Sequence, residues 1–215
     1  MLRKFLSIAV AFVLLGGISF AQDFNASALS RKEVKKLEKS AKKEAKKYAK
    51  ENWQVAPGAL TLELQLAKSY KMLSEVDENY YPKFVMAEAM SIGQNYDAAK
   101  MQALELAKQN LAGQIQTEVT AIIENTVGNE QLEAEEASSI VKTIAASKNI
   151  ISQSLGRVIV VTEAYRTLEN KNKEVLVRVA YNAQAAKKSA IEAIKKELKE
   201  EGNELHGKLD AIMGF

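Results

Sequence analysis

Residues 83–127 read KFVMAEAMSIGQNYDAAKMQALELAKQNLAGQIQTEVTAIIENTV. Their pattern predicts a strand, a turn and one long helix. The strand, residues 83–91, follows Pro82 and stops before Gly93. Phe84, Met86 and Met90 fall on one face, and Val85, Ala87 and Ala89 on the other. Apolar residues on both faces suit a strand covered, at least partly, from two sides. Ser91-Ile92-Gly93-Gln94-Asn95 makes the turn, with Asn95 placed to cap the helix. Beyond it Leu104, Ala107, Leu111, Ile115, Val119 and Ile122 recur at helical steps of three and four. Ala99, Ala103 and Ala107 repeat every fourth residue. Small side chains at that spacing let a helix lie close on a sheet. A helix-dimer seam would use the same spacing, but helix-on-sheet packing is the expected use. Gly128-Asn129 ends the helix, because both residues tolerate a left-handed cap.

Working outward, a shorter helix over residues 133–147 turns Ala137, Ile140, Val141 and Ile144 inward. Leu155-Gly156 leads into a strand over 157–168, rich in Val, Ile, Thr and Tyr. Asn170-Lys171-Asn172-Lys173 is a polar turn of the kind that joins a hairpin. Val175, Val177, Val179 and Tyr181 alternate with Leu176, Arg178, Ala180 and Asn182, as in a strand with unlike faces. Residues 183–205 return to a helical period, with Ala186, Ala190, Ile194 and Leu198 at steps of four. Upstream, Leu60, Leu62, Leu64, Leu66 and Leu73 give residues 60–76 the apolar content of a further helix. The expected fold is α/β in the α+β sense: a small three-stranded mixed sheet packed by long helices, preceded by a basic helical arm.

That arm carries most of the charge. Residues 31–50 hold ten Lys or Arg and three Glu. With Asp23 and Glu51 counted, ten bases against five acids leave +5 over residues 22–51. The whole chain carries +3, and Arg3 and Lys4 supply +2, so residues 52–215 carry −4. Val34, Leu37, Ala41, Ala45 and Tyr48 form a narrow helical stripe, and Ser30 with Glu33 has the spacing of a capping box. The arm is therefore expected to be a helix that ends at the Pro57-Gly58 turn, with Trp53 as a packing anchor. Lys35, Lys39, Lys42 and Lys46 are the residues to test for contact with an anionic surface. A solvated helix that only leans on the body is the alternative, and a stripe without Trp or Phe favours it.

Ahead of the arm, Arg3 and Lys4 precede an apolar run over residues 5–15 that is interrupted by Ser7. That length suits a signal segment and is too short to span a bilayer. Ser19-Phe20-Ala21 offers small residues where a signal peptidase reads, so cleavage is expected after Ala21. The expected division is a signal peptide over 1–21, the basic arm and junction over 22–58, and an envelope domain over 59–215. Export points to the periplasm, the outer membrane or the exterior, and away from nucleic acid.

Chemistry-bearing residues are few. The chain has no Cys and one His, which excludes thiolate metal sites and a lipidated Cys. His206 near the C-terminus has no second His to complete a transition-metal site. Gly93, Gly113, Gly128 and Gly156 are isolated and make no phosphate loop. Glu88, Glu163 and Arg178 lie inside expected strands. They read either as an acid pair tuned by Arg for hydrolysis, or as a cross-strand salt bridge on a solvated face, which is the preferred reading. Glu133, Glu135 and Glu136 suit the first turns of a helix. No catalytic residue, cofactor or metal is assigned.

Ala87-Glu88-Ala89-Met90-Ser91-Ile92-Gly93, then 97–107 with its fourth-residue alanines, then Leu111-Ala112, resembles the Lpp-twenty family of bacterial envelope lipoproteins. It is similar too to the amino-terminal domain of flagellar assembly protein T. The resemblance spans about residues 81–199. It implies the order strand, long helix, hairpin, helix, and a role in envelope structure or assembly. It supplies no catalytic residue. The family's lipidated Cys is missing, so lipid anchoring does not carry over. The expectation is a non-enzymatic cell-envelope module that binds an envelope protein or itself, with possible peripheral contact at an anionic membrane. A carboxylate-based hydrolase and a periplasmic small-ligand or lipid binder are the alternatives.

Overall fold

In a computed structural model that describes residues 29–128, 133–200 and 204–209, Ser30 opens helix α1 (Arg31–Lys50). The expected signal segment, residues 1–21, and Asn129 lie outside the described residues. Ser30 Oγ accepts from the Glu33 amide at 3.3 Å, and the Glu33 carboxylate accepts from the Ser30 amide at 2.8 Å. This is the reciprocal cap that the spacing predicted. The helix ends earlier than expected. Asn52 takes a left-handed conformation (φ 63°), and the Trp53 amide donates back to Tyr48 O at 3.0 Å. Asn tolerates that conformation, so the chain turns there and not at Pro57-Gly58. The latter pair forms a separate turn, with Gly58 at φ 79°. Helix α2 (Leu62–Leu73) follows, capped by Thr61.

Strands β1 (Phe84–Gly93), β2 (Ile159–Thr167) and β3 (Lys173–Asn182) form one sheet in the order β1-β3-β2. β1 and β2 run the same way, but the β2–β3 hairpin places β3 between them. Both ladders are therefore antiparallel, and the parallel pairing of a mixed sheet is not formed. The polar turn closes as expected, with the Leu168 amide donating to Asn172 O at 2.9 Å and Lys171 at φ 66°.

Helix α3 (Tyr96–Gly128) lies on one sheet face, its Ala99, Ala103 and Ala107 fully buried. Asn95 Oδ1 accepts from the Ala98 amide at 2.9 Å, the expected cap. Gly93 is needed for close approach: a Cβ there would stand 2.8 Å from the Ala99 nitrogen. Val175, Val177 and Val179 of β3 meet α3 and helix α6 (Ala183–Glu200) in the main core. The single helix expected over 133–147 is followed by a second one. Helix α4 (Ala134–Ala146) gives way to α5 (Lys148–Ser154) at Ser147, whose hydroxyl donates to Thr143 O at 2.6 Å. Such back-bonding bends helices. Gln116 of α3 also draws off the Ile144 carbonyl at 2.5 Å. A 3-10 turn (Glu204–Gly207) follows α6, so the expected helix over 183–205 is shorter than its pattern.

The other sheet face is covered too. Met72 of α2 packs on Val161 and Ala180, and Trp53 packs on Ala164 and Leu176. Helix α1 stacks on α2, burying Ala41 completely. Helices α1 and α2 therefore share this face, α1 reaching the sheet through Glu44 and Tyr48, with α3 and α6 on the other.

Candidate functional site

Glu88 of β1 and Arg178 of β3 stand directly opposite each other. Even-numbered positions of β3 face α2, so both side chains enter the layer beneath α1 and α2. Arg178 donates from Nε and Nη2 to Glu88 Oε2, at 2.8 and 2.7 Å. Its Nη1 donates to Ser69 Oγ at 3.1 Å, and Nη2 lies 3.5 Å from Glu44 Oε1. The Tyr70 hydroxyl donates to Glu44. One guanidinium thus ties α1, α2, β1 and β3 together.

Burial opposes the charge on Arg178, but Glu88 and then Glu44 outweigh it and hold its pKa above the ordinary value. Burial, reinforced by the bond to Glu44, pushes the Tyr70 phenol up to about 12. Tyr48 is pushed higher still, by burial first and then by the charges of Glu88 and Glu44. Neither phenol is a base at neutral pH; each acts as a protonated neighbour of a carboxylate. The arrangement is an ion-pair network with both acids bound to the same cation.

Glu163 does not join it. That residue sits opposite Val177 and on the other sheet face, where its carboxylate lies 2.9 Å from Lys100 Nζ and accepts from the Tyr96 hydroxyl. The acid pair required for hydrolysis is therefore not assembled from Glu88 and Glu163. The cross-strand bridge between Glu88 and Arg178 is formed, but the face is not solvated: the Arg178 side chain is 15% exposed. Sequence reading missed Glu44, Ser69 and Tyr70 as partners. The available signal was a polar pair, Ser69-Tyr70, within the Leu-rich helix.

Trp53 is 6% exposed and meets Tyr48 edge-on, with centroids 5.8 Å apart. Arg166 stacks over its ring at 4.9 Å and reaches Glu174 at 2.6 Å and Glu51 at 3.5 Å. Trp53 is thus the packing anchor expected of it. Between α1 and α2 lies an open cleft of about 470 Å3, lined by Ser40, Lys43, Glu44, Lys47, Tyr48, Glu51 and Tyr70.

On the far side of α1, Lys35, Lys39, Lys42 and Lys46 are all exposed. Their steps of four, three and four set them in one row along the helix. The row lies opposite the stripe that contains buried Ala41. Among the described residues none of these four lysines is in an ion pair. His206 falls in the 3-10 turn, away from this face in sequence. Glu133 and Glu136 form a capping box at α4, and Glu136 accepts from Lys208 at 2.5 Å, which lowers its pKa. Among the described residues, no three His, Cys, Asp or Glu side chains cluster to hold a metal ion. Among them, too, no helix is long and apolar enough to cross a membrane.

Compared with protein-family models, with curated proteins and with solved structures, the chain finds no match.

Proposed function

We propose that this chain is an exported, non-enzymatic module of the bacterial cell envelope, structural or assembling in role, that works by binding an envelope protein or itself. One observation carries the reading. The two strand acids suited to acid–base work are kept apart: Glu88 is bound by Arg178 beneath α1 and α2, and Glu163 is held by Lys100 and Tyr96 on the other sheet face. The charge that faces outward belongs to a helix surface. The resemblance to Lpp-twenty proteins and to flagellar assembly protein T supports the same role, and the amino-terminal pattern supports export. Crosslinking in intact cells, followed by identification of what is captured, tests the reading. A recurring envelope protein, or a second copy of this chain, is expected. No recurring partner, together with turnover on a panel of hydrolase substrates, would replace it with the carboxylate-hydrolase alternative.

The cleft between α1 and α2 favours a second reading, binding of a small ligand. Lys43 and Lys47 on its wall would suit an anionic one. A ligand that copurifies with the protein and is lost with Lys43→Gln and Lys47→Gln would support that reading over the first.

Export is checked separately. Protein purified from cells should begin at Gln22; amino-terminal sequencing that finds Met1 would sink the periplasmic assignment.

A further inference from the structure

Helix α1 sorts its charges in a way that its sequence alone does not reveal. Its three acids are Glu33, Glu38 and Glu44. Glu33 is occupied in the cap with Ser30. Glu44 turns inward to Arg178 and Tyr70. Only Glu38 among them is exposed. All ten bases of the helix are exposed. A helix of 20 residues is about 30 Å long, so the bases other than Lys43 and Lys47, which line the cleft, form a nearly unopposed cationic face of that length.

The apolar stripe settles how that face can be used. Ala41 is fully buried, and Tyr48 packs with Trp53. The stripe is already committed to the body, so α1 cannot roll it into a bilayer as a free amphipathic helix does. The helix is also not a loose tail: the Glu44 contacts and the α2 packing hold it at a fixed orientation with its cations outward.

We infer that the outer face of α1, centred on Lys35, Lys39, Lys42 and Lys46, docks the protein on the headgroups of anionic phospholipid without inserting. Charge complementarity selects the partner. A straight row of Lys ammonium groups on a rigid helix matches a plane of phosphates, and Lys serves as a point charge for phosphate. A single-stranded nucleic acid would need aromatic platforms beside the cations. The helix's one aromatic residue, Tyr48, lies among the packed residues instead. This inference rests on the envelope reading only for where such lipid is met, and the binding itself is measured with purified protein.

The test is vesicle co-sedimentation of cell-purified protein. Vesicles contain phosphatidylglycerol in phosphatidylcholine, or phosphatidylcholine alone, at low salt and at 1 M salt. Binding to the anionic vesicles alone is expected. It should vanish at high salt, where the Debye length falls to about 3 Å. A variant with Lys35, Lys39, Lys42 and Lys46 changed to Gln should bind roughly 100-fold more weakly at low salt or worse. A control variant carries Lys142, Lys148, Lys188 and Lys199 changed to Gln, four exposed lysines on α4, α5 and α6. It has the same net charge and should bind within a fewfold of wild type. Circular dichroism of both variants should match wild type, since Gln is a good helix former. Absence of binding to anionic vesicles at low salt overturns the inference. So does equal loss in the two variants, which would report net charge rather than this face, and so does binding that survives 1 M salt. Vesicle binding without a captured envelope partner in cells would sustain docking while refuting the assembly role. A captured partner without vesicle binding would do the reverse.

Discussion

At the scale of single residues, Arg178 is the side chain on which two layers depend. It holds Glu88 across the sheet and Glu44 from α1. Removing one partner of a buried pair leaves the other charge uncompensated, which costs far more than the pair itself is worth. Arg178→Met should therefore destabilise the protein by on the order of 3 kcal/mol. Adding Glu88→Leu should recover part of that loss, because it removes the stranded carboxylate. Urea unfolding of the two variants checks both statements, and a single-variant cost below about 1 kcal/mol would mean the network is incidental. Tyr70 provides a pH test. Its pKa is raised to about 12 from an ordinary 10.0 by burial and by Glu44. A raised folded-state value means that the contribution is complete below pH 10 and is lost as pH climbs toward 12. Tyr70→Phe should cost about 1 kcal/mol at pH 8 from the lost hydrogen bond. It should then lose less stability than wild type between pH 9 and 11.5, as read from urea midpoints. Parallel pH slopes for the two proteins would refute the linkage. The sequence showed Glu88 and Arg178 as charged strand residues, but not that Glu163, one residue out of phase, faces the opposite way. That parity is set by the hairpin register, with Thr167 opposite Lys173 and so Glu163 opposite Val177, which the turn residues alone do not announce.

Among the secondary-structure elements, the β1–α3 pair was the most legible. Its strand, turn, cap and helix follow from Pro82, Gly93, Asn95 and the fourth-residue alanines, and each does what its chemistry dictates. The helix starts so close to the strand that Gly93 has no room for a side chain. Gly93→Ala should force a shift of backbone, and Ala103→Leu should overpack the α3–sheet contact. Each is expected to cost roughly 1–3 kcal/mol. Met101→Leu on the exposed side of α3, where Met101 is 73% exposed, should stay within about 0.5 kcal/mol of wild type. Matching denaturation midpoints for Ala103→Leu and Met101→Leu would show that the alanine ridge is not the contact. Element ends were less legible, for a physical reason. The end of α1 at Asn52 and the break at Ser147 are both decided by backbone carbonyls finding partners. At α1 the partner is the local Trp53 amide, freed by the left-handed turn at Asn52. At the Ser147 break it is Gln116, 28 residues from Ile144, which becomes available only once the chain has folded.

Considered as a whole, the molecule has a thick side and a thin side. The thick side is the main core of α3, α4, α5 and α6 against the odd-numbered residues of β3. The thin side is two small clusters, one packed by Tyr48 of α1 with Trp53 and the other by Met72 of α2. Sequence reading foresaw the helical arm and its basic charge, but the arm's place beside α2 on the sheet's second face was hidden. Its stripe of Val34, Leu37, Ala41, Ala45 and Tyr48 is equally suited to a solvated helix, and the burial of Ala41, the packing of Tyr48 on Trp53 and the contacts of Glu44 together fix it on the body. This layering predicts how the protein comes apart. A chain beginning at Trp53 loses Glu44, Tyr48 and the cover over α2, yet keeps every element of the main core. Hydrogen exchange in α3 and β3 should then remain slow and close to the wild-type pattern, because those amides open only with the core. Exchange in α2 should speed up by at least tenfold, since its outer face and the Tyr70 partner are gone. Arg178 retains Glu88 in the truncated chain, so the sheet itself should hold its register. If protection in α3 collapses along with that in α2, then the two sides form one cooperative unit, and α1 is part of the fold rather than a layer added to it.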